Sequence, residues 1–187
     1  MITTVDDIKT RIKMWVQRAD QEIGAPFLLL VRGVSGVGKE SFVDRAFHNV
    51  CTTYSMNDMW TEQATGEKRY SKSREPEVRS SFRIKALRHL FEVKKPIILF
   101  ATAARAWEFE DVLYVADKLS YDVEVWTLLP DMSLGSPNLY EIWQKSGQSH
   151  SLEEIEEQYR GWEPCHHFKE VIVPWQVHRS VGSKIPI

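Results

Sequence analysis

The residues best equipped for chemistry stand together between Gly33 and Ser41, in the stretch GVSGVGKES that follows the apolar run FLLLVR. It spells G-x-x-x-x-G-K. In that pattern successive backbone N–H groups curl into a concave nest for an anion, and glycine supplies the positive-φ conformations the turn needs. The helix that follows points its positive end at the same spot. Gly33, Ser35, Gly36, Val37, Gly38, Lys39, Glu40 and Ser41 are therefore the candidate cradle for nucleotide phosphates. Lys39 would reach the β- and γ-phosphates as a point charge. A glycine-rich turn with a solvated lysine can look the same, but this one lies between a strand-like and a helix-like run, where a phosphate loop belongs.

Glu40 departs from the pattern, which carries Ser or Thr there as a neutral Mg2+ ligand. A carboxylate suits a hard divalent cation, yet without the cation it repels the phosphates. Glu40 is accordingly an expected metal ligand, and nucleotide binding is expected to depend steeply on Mg2+. Ser41 comes one residue late, turned about 100° round the helix, and is a poor substitute.

The elements that must position this loop follow from periodicity. Thr4 caps a helix in which Ile8, Ile12, Trp15, Val16, Ala19 and Ile23 recur at helical spacing, with Asp7 as an Asp-bearing capping box and Gly24 closing it. Runs 27–31, 96–102 and 123–129 read as buried strands, with shorter candidates at 51–54 and 171–173. Residues 41–48, 76–93, 107–120 and 151–159 read as helices, the last opened by a capping box of Ser151 and Glu154. Strands alternating with helices predict a parallel α/β sheet.

At 187 residues and 43% hydrophobic content the chain can bury one substantial core. Residues 1–24 are expected to form a helix packed on or extending the main domain, residues 25–187. A net charge of -2 gives no whole-molecule field for nucleic acid, so such a partner needs a local basic patch. Cys51 and Cys165 are too few for a disulfide framework and fit a reduced, cytoplasmic setting. Charges interrupt the first twenty residues, so no secretory segment is expected there. The longest apolar run, 26–31, is far short of the roughly 20 residues that span a membrane, so no membrane partner is expected. Nothing in the sequence sets an oligomeric state.

Taken in order, the segments YSMNDMW, PIILFATAARAWEFEDVLYVADKLSYDVEVW and NLYEIWQKSGQSHSLEEIEEQYRGWEP extend the likeness. With them the chain resembles the phage-type polynucleotide 5′-hydroxyl kinases and their small P-loop kinase relatives, over about residues 26 to 164. The P-loop is specific alone; the other segments persuade by their order. The resemblance implies an α/β P-loop NTPase with a central parallel sheet of about five strands flanked by helices, and a helical lid at about 138–160. It implies ATP and Mg2+ as cofactors, transfer of the γ-phosphate to a hydroxyl of a nucleic acid or nucleoside, and a phage origin.

Carried over residue by residue, the resemblance weakens. Its catalytic carboxylate follows the second strand, where superposition puts Asn57 first and Asp58 second. Asn57 cannot accept a proton and becomes a substrate contact. Asp58 is then the expected base and a metal ligand, although a turn or cap residue reads the same way. After the third strand, Phe100 and Ala103 stand where an acid and an amide are usual, leaving Thr102 as a substrate contact. The lid offers Lys145 in place of an arginine, without the bidentate fork, and a solvated turn charge would look alike.

Arg79 and Arg83, with Arg88 further along, lie on the helix expected beside the acceptor. They could grip a nucleic-acid backbone or simply form a solvated face. Tyr54, Trp60 and Tyr70 could stack a base or pack. The CHHF stretch at 165–168 is a poor metal site, lacking a second cluster. These departures keep a second function open: a catalytically degenerate P-loop kinase-like module that binds nucleotide, nucleic acid or protein.

Overall fold

A computed structural model describes residues 4–21, 24–61, 70–130, 138–146 and 150–174. Residues 62–69, residues 147–149 within the expected lid, and the C-terminal stretch 175–187 lie outside these residues. Five strands, β1 (Phe27–Arg32), β2 (Thr52–Ser55), β3 (Ile97–Ala101), β4 (Asp122–Leu128) and β5 (Lys169–Val173), form one parallel sheet in the order β2-β3-β1-β4-β5. Helices α1 (Val5–Gln21), α2 (Lys39–Phe47), α3 (Glu75–Arg88), α4 (Glu110–Lys118), α5 (Leu139–Lys145) and α6 (Leu152–Arg160) accompany it.

The apolar runs of β1 and β3 are continuous because both faces of the sheet are covered. Along β1, Leu29 and Val31 enter one core with Ile8, Ile12 and Trp15 of α1 and Phe42 and Phe47 of α2. Leu28 and Leu30 enter the other, with Phe82 and Leu90 and with Val112 and Leu113 of α4. Helix α1 thus shares the main core. Its start is fixed by reciprocal bonds, Asp7 N to Thr4 Oγ1 at 3.2 Å and Thr4 N to Asp7 Oδ2 at 3.1 Å. Arg11 ties it to Glu124 of β4 at 2.8 Å.

Two helix boundaries differ from the periodic reading by more than two residues. The helix expected over 76–93 keeps α-geometry only to Arg88 and then widens into a π-turn, His89–Val93. There the buried His89 ring meets the Lys95 carbonyl at 3.0 Å. The helix expected from 107 starts as a 3-10 turn, Ala106–Glu108, and becomes α-helical at Glu110.

The order of the strands makes the site. β1 exits towards α2 on one face, while its neighbour β3 exits towards α4 on the other. Adjacent strands whose exits diverge leave a crevice beyond their carboxyl ends, where ligands of open α/β sheets bind.

Candidate functional site

The loop from Gly33 to Gly38 lies at the mouth of that crevice. It turns back on itself through Val37 N donating to the Val34 carbonyl at 3.2 Å, and is tied to the β3 exit by Gly33 N donating to the Thr102 carbonyl at 3.3 Å. Gly38 caps α2 with φ 96°, and no side chain caps that helix. The first-turn amides therefore face the mouth with the positive end of the helix behind them, an anion cradle by construction. Lys39 is only 9% exposed, and its Nζ donates to the carbonyls of Gly33 (2.8 Å) and Val34 (3.0 Å). Burial pulls its pKa down to about 8, with the Glu40 carboxylate opposing.

The lid helices sit directly on this loop. A Cβ at Gly36 would lie 2.3 Å from the Ile142 carbonyl of α5, so only glycine fits beneath that helix. From α6, the Gln158 side-chain oxygen accepts the Ser35 N–H at 2.9 Å. Between loop and lid is a recess of about 230 Å³ lined by Ser35, Gly36, Glu40, Ser41 and Lys145 among others. A second cavity of about 330 Å³ adjoins it, towards Trp60, Arg79, Arg105 and Glu108. Lys39, Asn57, Tyr70, Thr102 and His150 line both, so the two spaces meet there.

The expected site residues separate at this point. Glu40 and Asn57 come together: Asn57 Nδ2 donates to Glu40 Oε1 at 2.9 Å, and Ser55 Oγ reaches the same oxygen at 3.4 Å. Thr102 lies at the junction with its hydroxyl 3.3 Å from that of Ser35. Val37 is buried under the loop, and Phe100 and Ala103 are buried in the cavity wall. Asp58 is exposed on the outer side of the 3-10 turn Met56–Trp60 and lines neither cavity; Asn57 is the residue that faces inward. Lys145 lines the loop-lid recess, paired with Glu141.

The arginines of α3 do not act as one stripe. Arg79 faces the cavity, held by Glu75 at 2.6 Å and by Glu108, with Trp107 under its guanidinium at 4.9 Å. Arg83 is paired with Asp111 of α4 and is absent from both recesses. Arg88 is exposed, 3.8 Å from Glu92. Trp60 and Tyr70 stand 5.3 Å apart in the cavity wall. Among the described residues no cluster of three or more His, Cys, Asp or Glu could hold a metal by itself, the 165–168 stretch included.

Sequence reasoning missed three groups. Gln158 and His150 had no motif of their own, although the Ser151–Glu154 capping box fixes where α6 starts and hence what its first turns present. Arg32 had a signal: a charge ending an otherwise apolar strand. It is fully buried, clamped between the rings of Phe109 and Trp162, and donates to Thr127 (2.9 Å), the Ala103 carbonyl (3.1 Å), the Glu163 carbonyl (2.7 Å) and Glu170 (2.6 Å). It joins β1, β4, β5, the β3 exit and the lid exit. Burial raises the Glu170 pKa, but hydrogen bonds from Thr127 and Arg32 outweigh this and hold the carboxyl below its usual value.

No protein-family profile matches the chain, and no curated protein sequence matches it. Solved structures do. A gluconokinase from Sinorhizobium meliloti superposes with a TM-score of 0.55 over 83% of this chain and 89% of its own, at 16% identity. A sugar kinase from a Janibacter species, solved without ligand, gives 0.54 over 84% and 90%, at 14% identity. At such identities the likeness is one of fold: this is an α/β P-loop NTPase fold. The resemblance drawn from the sequence is supported at that level; the finer likeness to polynucleotide kinases is not what these structures show. Among the described residues no helix is long and apolar enough to cross a membrane.

Proposed function

We propose that the protein is an ATP-dependent kinase that moves the γ-phosphate to a hydroxyl of a compact acceptor of nucleoside or sugar size. The observation that carries this is the meeting of the loop-lid recess with the inner cavity at Lys39, Asn57 and Thr102. At about 330 Å³ the inner cavity is at the small end of ligand pockets, which run from roughly 300 to 1,000 Å³. With each α3 arginine already beside a carboxylate, a small acceptor is favoured over a long nucleic-acid strand. A short oligonucleotide whose affinity falls steeply with salt would reverse that preference.

In this reading the loop amides and Lys39 hold the triphosphate, Lys145 closes over it, and Arg79 orients the acceptor. The residues present suit Mg2+ held through substrate phosphates: one carboxylate, Glu40, with the Ser55 hydroxyl beside it and the Asn57 amide N–H donating to that carboxylate, rather than an all-protein cage. When bound, the ion neutralises charge on the β- and γ-phosphates. A second reading, a nucleotide-binding module without turnover, draws on the inward amide of Asn57 and the apolar wall of Phe100 and Ala103.

Calorimetric titration with ATP, with and without Mg2+, on the wild type, Lys39→Ala and Glu40→Ser tests both, followed by γ-labelled ATP with nucleosides and monosaccharides. Binding that needs Mg2+, Lys39 and Glu40, with label transfer, supports the kinase. Binding without transfer to any acceptor supports the module, and no binding in either condition sinks both.

A further inference from the structure

The junction between the two recesses carries a titratable imidazole that the kinase reading does not use. We propose that His150, oriented by Glu154, accepts the proton of the acceptor hydroxyl during phosphoryl transfer; this rests on the kinase reading above. His150 immediately precedes the Ser151 cap of α6, and its carbonyl accepts the Trp143 indole N–H of α5 at 3.0 Å, so both lid helices fix its backbone. Its Nδ1 lies 3.7 Å from Glu154 Oε2. Its ring stands edge-on to Tyr70, centroids 5.5 Å apart.

Elimination points the same way. Asn57 has no basic atom and donates its amide to Glu40. Glu75 and Glu108 are engaged with Arg79. Glu154 takes the Ser151 N–H at 2.8 Å, and Glu157 is exposed and lines only the inner cavity. Asp58 lines neither space. Among the described residues that line both spaces two carry a side-chain nitrogen that titrates, and Lys39 Nζ is engaged with the Gly33 and Val34 carbonyls, which leaves the imidazole of His150 to take the proton.

The charged groups around it set its state. Burial lowers its pKa first of all; Glu154 of α6 opposes, Lys39 of the loop adds to the lowering, and Glu75 of α3 opposes. The net direction is down, which keeps the imidazole neutral and its lone pair available near neutral pH. The step balances simply. The acceptor oxygen bonds to the γ-phosphorus as the bond from that phosphorus to the β,γ-bridging oxygen breaks. The hydroxyl proton passes to the ring nitrogen remote from Glu154, whose carboxylate steadies the resulting imidazolium, and ADP leaves.

The test uses His150→Gln, His150→Arg and Glu154→Gln, with ATP affinity by calorimetry and transfer from γ-labelled ATP to a nucleoside mixture, a monosaccharide mixture and water. Expected for His150→Gln is ATP affinity within a few-fold of wild type, which also reports folding, and kcat lower by about 10²–10⁴ with the acidic limb of the pH profile gone. Glu154→Gln should give a smaller loss and move that limb to lower pH. His150→Arg should not rescue. Rescue by arginine would make His150 a cation for the phosphates and overturn the proposal, as would an unchanged kcat in His150→Gln. A wild type that binds ATP yet transfers label to none of the three acceptors would overturn the kinase reading and this step with it.

Discussion

Replacing Gly36 by alanine tests the closure of helix α5 on the phosphate loop. Gly36 has φ +83°, where an L-residue costs about 1–2 kcal/mol. Its new methyl would also sit 2.3 Å from the Ile142 carbonyl and 2.9 Å from Ser146 Cβ, about an ångström inside ordinary contact with the former. The obstacle is helix backbone, which cannot rotate aside as a side chain can. If α5 stays in place, overpacking adds about 1–3 kcal/mol, for a sum of roughly 2–5 kcal/mol. Helix α5 is seven residues long and buries only Ile142, so relief comes by its moving off the loop. Gly24→Ala is the control: φ is +79° there, with nothing within 4 Å of the new Cβ, so it carries the backbone cost alone. Urea unfolding should show about 1–2 kcal/mol lost for Gly24→Ala. Gly36→Ala should lose more, or should lose amide-exchange protection over Leu139–Lys145. Equal losses with unchanged protection of α5 would refute the closed contact.

Two further predictions concern pH. With a folded pKa of about 8 against an ordinary 10.5, Lys39 sheds its proton earlier in the native state, so the unfolded chain binds more protons in between. Relative to Lys39→Met, stability should then rise by about 3 kcal/mol from pH 8 to 10.5, and parallel stability curves for the two proteins would sink this. Glu170, held below its ordinary 4.5, contributes stability that is present above that value and lost as pH falls through the lower folded value. Glu170→Gln should flatten this acid limb, and Arg32→Met, which strands a buried carboxylate, should cost about 3–5 kcal/mol by denaturant titration; a loss under about 1 kcal/mol would mean the hub is not holding the strands.

The sheet was legible because its code is local and redundant. FLLLVR and PIILFA are too apolar to have a wet face, and a strand, glycine loop and helix in that sequence leave few alternatives for their connection. What failed was whatever depends on a turn's direction. Asn57 and Asp58 are adjacent, and periodicity cannot say which faces the cavity; the Ser55 hydroxyl capping Asn57 N at 3.1 Å starts a 3-10 turn and decides it. Arg79 and Arg83 are one helical turn apart and read as one face. Their fates differ because Glu108 at the end of the 3-10 turn before α4 and Asp111 on α4 each claim the nearer guanidinium. Arg32 escaped for the opposite reason, since its partners at the β3 exit, on β4, on β5 and at the lid exit are 71 to 138 residues distant.

Read singly, Glu40 and Asn57 look like two losses: a ligand hydroxyl replaced by a charge, and a carboxylate replaced by an amide. Placed 2.9 Å apart across the mouth of the crevice, they amount to one exchange. The mouth still holds one negative charge and one neutral polar group, now carried from the opposite sides. Coulomb energy at a metal or phosphate depends on where charge sits rather than on which strand or helix delivers it. The exchange conserves that, and so argues against plain decay of the phosphate and metal half of the site. It does not conserve basicity towards the inner cavity, because the carboxylate now belongs to the loop helix while an amide faces the acceptor side. On the kinase reading proposed above, the proton acceptor must come from another element, and the lid reaches the same junction through His150.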